Sequence, residues 1–284
     1  MQHLHLNANG ARFHVVRAGK GPPILLLHGW PEFWATWEPV IGRLADRFTL
    51  IAPDLRGFGD SDKPGTAWGA ADHAADLMAL LDQLEIDRIG VVGHDVGGAT
   101  MQVMARMAPK RWTGLFFFDF VHAGIGARMG APDRLNHIWY QSFHQMPYAA
   151  ALVGASRDTC AAYIGGILRR WSHNPAWIEA QLDRWIDNFM APGNLEGGFA
   201  YYRAAHAGRI ALMQGTAPPL PPIAIPTCVR WAAHDSLFPA AWTDTLGETF
   251  TDLDCAILEG VGHFPHQEDP DTAAREIAAF FGRL

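Results

Sequence analysis

The sequence predicts an α/β protein: a mostly parallel β-sheet covered by helices on both faces, with a helical segment inserted into it. Two observations carry that prediction. Short apolar runs at 24–27, 48–52, 88–93, 112–118, 227–231 and 253–258 are each followed by a loop and a longer segment with helical character. Strands buried on both faces read as near-continuous apolar runs, and their alternation with helices implies parallel pairing. Between about Gly130 and Gln214 the alternation stops, and the chain turns helical and aromatic.

The elements follow in order. His3-Leu4-His5-Leu6 alternates, breaks at Asn9-Gly10 and resumes through Phe13 and Val15, the pattern of an antiparallel hairpin at a sheet edge. Helices are expected over 70–84, 97–108, 240–250 and 272–281. The segment 217–226 holds five prolines in ten residues, which excludes a helix and makes a stiff return to the sheet. The expected organisation is therefore a core of residues 1–129 and 216–284 and a helical cap of residues 130–215.

Composition narrows the function. The 284 residues are 49% hydrophobic and 18% charged, too apolar for a disordered chain. The net charge of −7, with no Lys or Arg run, disfavours nucleic acid and anionic membranes as partners. No apolar stretch approaches the roughly 18 to 20 residues of a membrane span, and nothing resembles a secretion signal. Cys160, Cys228 and Cys255 form no Cys-x-x-Cys pair, which reads as reduced thiols in a cytoplasmic protein. No His-Glu-x-x-His occurs, and the proline within His263-Phe264-Pro265-His266 argues against a helical metal-binding face, so no metal or cofactor is expected.

Gly93-His94-Asp95-Val96-Gly97 ends an apolar strand and opens a helix rich in small residues. A sharp strand-to-helix turn of this kind needs glycines, because the backbone is strained and closely packed, and it lifts the middle side chain into the mouth of the sheet. Asp95 is thus the candidate nucleophile. In the expected chain order an acid follows at Asp235, after the strand ending near Trp231, and a histidine at His263, in a glycine-rich loop after the last strand. Singly, Asp235 reads as a helix cap and His263 as a turn residue; together they sit where strand carboxyl ends converge on one crevice. Asp119, at the end of the strand 112–118, is the alternative acid. His28-Gly29-Trp30-Pro31 follows the strand 24–27, so the backbone amides of Trp30 and Val96 are candidates for an oxyanion hole. Phe33, Trp34 and Trp37 beside that loop are candidate pocket residues, although core packing is the commoner use of such side chains.

On these motifs, and on Pro53-Asp54-Leu55-Arg56-Gly57-Phe58-Gly59-Asp60-Ser61, the chain resembles the α/β-hydrolase superfamily over nearly its whole length. The resemblance implies an eight-stranded α/β-hydrolase sheet. An Asp nucleophile selects a saturated carbon as electrophile, because the ester it forms is one that a histidine-activated water can cleave. In haloalkane dehalogenases a Trp usually follows the nucleophile, and in fluoroacetate dehalogenases arginines lie nearby; here Val96 and Ala99 occupy those places. Trp139-Tyr140-Gln141-Ser142-Phe143-His144-Gln145 and Gly197-Gly198-Phe199-Ala200-Tyr201-Tyr202-Arg203-Ala204 resemble the tyrosine-bearing cap segments of bacterial epoxide hydrolases. The resemblance implies Tyr140 and Tyr202 as acids to the epoxide oxygen, with Tyr201 as the alternative to Tyr202. The expectation is hydrolysis of an epoxide to a vicinal diol, with the epoxide and water as small-molecule partners and either a monomer or a homo-oligomer compatible with the sequence. The rivals are a haloalkane or haloacid dehalogenase with the same nucleophile, and a non-catalytic ligand-binding protein on the same fold.

Overall fold

The computed structural model describes residues 1–63, 65 and 67–284. Eight strands form one sheet: β1 (Gln2–Ala8), β2 (Ala11–Ala18), β3 (Pro23–Leu27), β4 (Thr49–Pro53), β5 (Ile89–His94), β6 (Trp112–Phe118), β7 (Thr227–Ala232) and β8 (Leu253–Leu258). Their spatial order is β1-β2-β4-β3-β5-β6-β7-β8. The hairpin β1–β2 turns at Asn9-Gly10 and occupies one edge, and β2 also pairs antiparallel with β4. Every other neighbour is parallel, as the apolar runs require.

The helices are α1 (Glu38–Leu44), α2 (Ala70–Gln83), α3 (Val96–Met107), α4 (Leu135–Phe143), α5 (Ala149–Val153), α6 (Arg157–Cys160), α7 (Gly166–Trp171), α8 (Ala176–Met190), α9 (Asn194–Met213), α10 (Leu246–Thr249), α11 (Pro265–Glu268) and α12 (Pro270–Phe281). They cover both faces because side chains alternate along each strand. On β5 a methyl group added to Gly90 would strike Phe281 of α12, whereas one on Gly93 would strike Met101 of α3. Phe116 packs on Phe280 of α12, while Phe117 turns the other way onto Phe120 and Phe250. These rings are fully buried, and each such burial contributes about 1.5 to 3 kcal/mol to the fold. Helices α4 to α9 all lie between β6 and β7 in the chain. Among the described residues no helix is long and apolar enough to cross a membrane.

Two expectations need correction. The run 253–258 forms β8 as expected, but as the far edge of the sheet with Asp254 to Ile257 exposed, not as a buried strand. An edge strand has one paired flank, and apolar residues alone do not reveal which strand is last. The segment 240–250 is not one helix: a 3₁₀ turn (Ala240–Thr245) precedes α10. There the Thr243 hydroxyl donates to the Ala240 carbonyl at 2.8 Å and the Thr245 hydroxyl accepts from Arg128 at 3.0 Å, local bonds that compete with a continuous helix.

Candidate active site

The carboxyl ends of β3, β5, β6, β7 and β8 carry the loops with Trp30, Asp95, Asp119, Asp235 and His263, respectively. Parallel pairing puts all five loops on one side of the sheet. Asp95 has φ 45° and ψ −109°, a strained conformation for a residue with a side chain. The turn closes only because Gly97 lacks a side chain: a Cβ there would lie 2.3 Å from the Leu27 carbonyl oxygen. The Asp95 carboxylate accepts the Trp30 amide N–H at 3.0 Å, and its own N–H donates to the Asp119 carbonyl at 3.0 Å. Val96, the first residue of α3, presents an amide without an intrahelical partner at the same turn. Burial pushes the Asp95 carboxyl above its usual range, opposed by His263, His94 and the Trp30 amide.

His263 is completely buried, and its Nδ1 donates to Asp235 Oδ2 at 2.7 Å. Asp235 Oδ1 accepts the amides of Leu237 at 2.7 Å and Phe238 at 2.9 Å, which fix the carboxylate. With Nδ1 committed, Nε2 is the remaining ring nitrogen, buried and without a hydrogen-bond partner among the described residues. Burial works against an imidazolium at His263, but the Asp235 carboxylate outweighs it and the net shift is upward. Asp119 makes no bond to His263; its Oδ1 accepts the Ala232 amide at 3.0 Å.

Tyr140 on α4 and Tyr202 on α9 meet edge to face with ring centroids 5.4 Å apart, and both are buried. Tyr140 stacks flat on Trp30 at 5.4 Å, and Tyr202 stands edge-on to the same indole at 5.4 Å. The pair thus roofs the loop that holds Asp95. Helix α9 approaches this closely because of Gly197, where a Cβ would lie 2.0 Å from the Gly57 carbonyl oxygen. Burial first, then the Asp95 charge for Tyr140 and the Tyr140 and Asp95 charges for Tyr202, push both phenols above their usual pKa, so they are hydrogen-bond donors at neutral pH. Tyr201 also feels Asp95, but its ring turns away to stack on His73 at 5.9 Å.

The three pocket candidates separate. Trp37 stacks on His266 at 4.5 Å inside the core, and Trp34 packs on His3 and His14 at the sheet edge. All three candidates are buried in the core cluster. Phe33 stands edge-on to Trp185 of α8 at 5.0 Å, and Trp34 meets the same helix, with the Arg184 guanidinium 5.3 Å from its ring.

Sequence reasoning missed a buried charge network beneath Asp95. Glu32 Oε2 accepts the Gly29 amide at 2.6 Å and His94 Nδ1 at 2.7 Å; Glu32 Oε1 accepts Thr36 Oγ1 at 2.6 Å and His266 Nε2 at 2.8 Å. His94 Nε2 in turn donates to the His263 carbonyl at 2.7 Å. His94 is thereby held between the Glu32 carboxylate and the His263 carbonyl, one ring nitrogen on each. These groups come within metal-chelating distance, but their facing atoms are hydrogen-bonded to one another. Pro265 does not break a helix here: it starts α11, where a missing N–H is harmless, and so delivers His266 to Glu32. No spacing rule joins residues 32, 94 and 266; only the adjacency of His94 to Asp95 hinted at it. Replacing Glu32 with Gln is expected to cost about 3 to 5 kcal/mol of stability by removing the carboxylate around which this buried network is hydrogen-bonded, read from chemical denaturation.

The inserted helices are tied to the same loops. The His263 amide donates to the Trp171 carbonyl at 2.9 Å, and Trp185 Nε1 donates to the Pro31 carbonyl at 3.0 Å. Glu268 Oε2 accepts the amides of His173 at 2.9 Å, Asn174 at 2.8 Å and Gly262 at 3.0 Å.

A family model described as alpha/beta hydrolase fold matches residues 22–270. The chain belongs to this family. Among its relatives, the soluble epoxide hydrolase of Corynebacterium sp. (strain C12) is 31% identical, with 99% of this chain and 98% of that protein covered. Epoxide hydrolase 2 of Siraitia grosvenorii is 32% identical over 72% of each chain. Among solved structures, the epoxide hydrolase CorEH without ligand superposes with a TM-score of 0.86 at 30% identity, covering 100% of this chain and 99% of that one. The α/β-hydrolase sheet expected from the motifs is therefore the fold of this member.

Proposed function

We propose that this α/β-hydrolase is an epoxide hydrolase in which Asp95 is the nucleophile, the His263 and Asp235 pair is the base, and Tyr140 and Tyr202 are the acids. The observation that carries the reading is the pair of buried tyrosines packed on Trp30, whose amide holds the Asp95 carboxylate at a strained turn. The full-length likeness to a protein named soluble epoxide hydrolase supports it. We further assign residues 130–215 as a cap whose role is to bring those tyrosines over the core.

An epoxide carbon is opened by one Asp95 oxygen while the ring oxygen leaves as an alkoxide, a poor leaving group that takes a proton from Tyr140 or Tyr202. The product of this step is a hydroxyalkyl ester of Asp95. His263 Nε2 removes a proton from water, and the hydroxide attacks the ester carbonyl. The amides of Trp30 and Val96 hold the oxyanion, as Trp30 already holds the carboxylate. Asp235 keeps Nε2 unprotonated beforehand and stabilises the imidazolium afterwards. Collapse expels the diol oxygen, which takes the imidazolium proton, and the carboxylic acid left at Asp95 gives up its proton, which returns to the tyrosinate through water.

The oxygen bookkeeping supplies the test. Water attacks the ester carbonyl, so in one turnover in H₂¹⁸O the diol is expected unlabelled and the label to appear on Asp95, found by peptide mass spectrometry. Label in the first-turnover diol would mean that water opens the ring directly and would overturn the covalent route.

A further inference from the structure

Asp119 is buried completely, holds a left-handed φ of 27°, and ties itself to the nucleophile through the bond from the Asp95 amide to its carbonyl. A side chain kept in such a conformation needs strong local reasons. Its Oδ1 accepts a single amide, that of Ala232 at 3.0 Å, and its Oδ2 is buried with no donor among the described residues. One amide is too little to hold a buried carboxylate ionised, and the residue that supplies it, Ala232, ends β7 three residues before Asp235, so the two carboxyls lie at the ends of neighbouring strands.

Asp235 has the complementary need. A carboxylate offers about four lone-pair positions. At Asp235 three are filled, by the amides of Leu237 and Phe238 and by His263 Nδ1.

We propose that Asp119 is a neutral carboxylic acid whose O–H donates to Asp235, and that it is the positioning residue of the His263 and Asp235 pair. Burial and the neighbouring Asp235 charge both hold its carboxyl well above the usual range, in keeping with that geometry. Asp119 is then not an alternative partner of His263. It completes the bonds that orient Asp235, and by drawing charge from that carboxylate it keeps His263 from becoming too basic to serve at neutral pH. The kinetic consequence rests on the hydrolase reading above; the proton on Asp119 does not.

Three variants and one spectrum test it. Asp119→Leu removes both bonds, so Asp235 becomes the stronger partner of His263, the acid limb of kcat moves to higher pH, and kcat at neutral pH falls about tenfold for each pKa unit moved. Asp119→Asn keeps both bonds, its carbonyl accepting from Ala232 and its NH₂ donating to Asp235, and is expected to restore the wild-type limb. Asp235→Asn is not rescued by either. If Asp119→Asn instead loses activity and shifts the limb to lower pH, the lost group was a negative charge and the proposal is wrong. Should Asp119→Leu fail to fold, the Asp119→Asn profile alone decides. The infrared difference spectrum of wild type minus Asp119→Asn at pH 7 is expected to contain a carboxylic-acid carbonyl band that shifts in D₂O; a carboxylate band in its place would overturn the proposal even in a chain that opened no epoxide.

Discussion

The His263→Gln protein, exposed to styrene oxide, is expected to gain the mass of one whole epoxide and to keep it. Glutamine cannot take a proton from water, so the second half-reaction slows by roughly 10² to 10⁴ while Asp95, which needs no base to attack, is alkylated as before. The effect falls on Nε2 of His263, which is buried and has no hydrogen-bond partner among the described residues. The mass should vanish in an Asp95→Ala, His263→Gln double variant. An adduct from a haloalkane or haloacetate, lighter than the added compound by hydrogen halide, would assign the chain to dehalogenation. Absence of any adduct would end the ester mechanism.

The second large effect is on ring opening. Changing Tyr140 and Tyr202 together to Phe leaves the stacking on Trp30 in place but removes both donors, and the alkylation rate should drop by about 10² to 10⁴. Each single variant should lose less, since the other phenol still reaches the oxygen. Tyr201→Phe should change little, because that ring lies on His73. Rapid-quench measurement of adduct formation separates this step from hydrolysis. An unchanged rate in the double variant would remove the tyrosines from the chemistry.

Much of this was legible before any coordinates. Parallel strands declare themselves because burial on both faces leaves no polar alternation, and the elbow at Asp95 because only glycine fits at position 97. The chain order of Asp95, Asp235 and His263 follows from strand ends that must share one side of a parallel sheet. The Glu32, His94 and His266 network was not legible: its members lie on three elements, and what joins them is the need of a buried charge for a partner, which has no sequence period.

The aromatic residues mark the same boundary. Phe33, Trp34 and Trp37 look alike in the sequence, yet one packs on Trp185, one on the sheet-edge histidines and one on His266, because the turn of the chain decides which way each ring points. Tyr201 and Tyr202 are adjacent, and the rotation of one residue along α9 sends them to different neighbours. Fold class, elbow and the order of Asp95, Asp235 and His263 can be read from the chain because they rest on local chemistry and periodicity. That Asp235 and not Asp119 meets His263 needed the folded molecule, because both acids end neighbouring strands and a hydrogen bond depends on a distance that no residue spacing specifies.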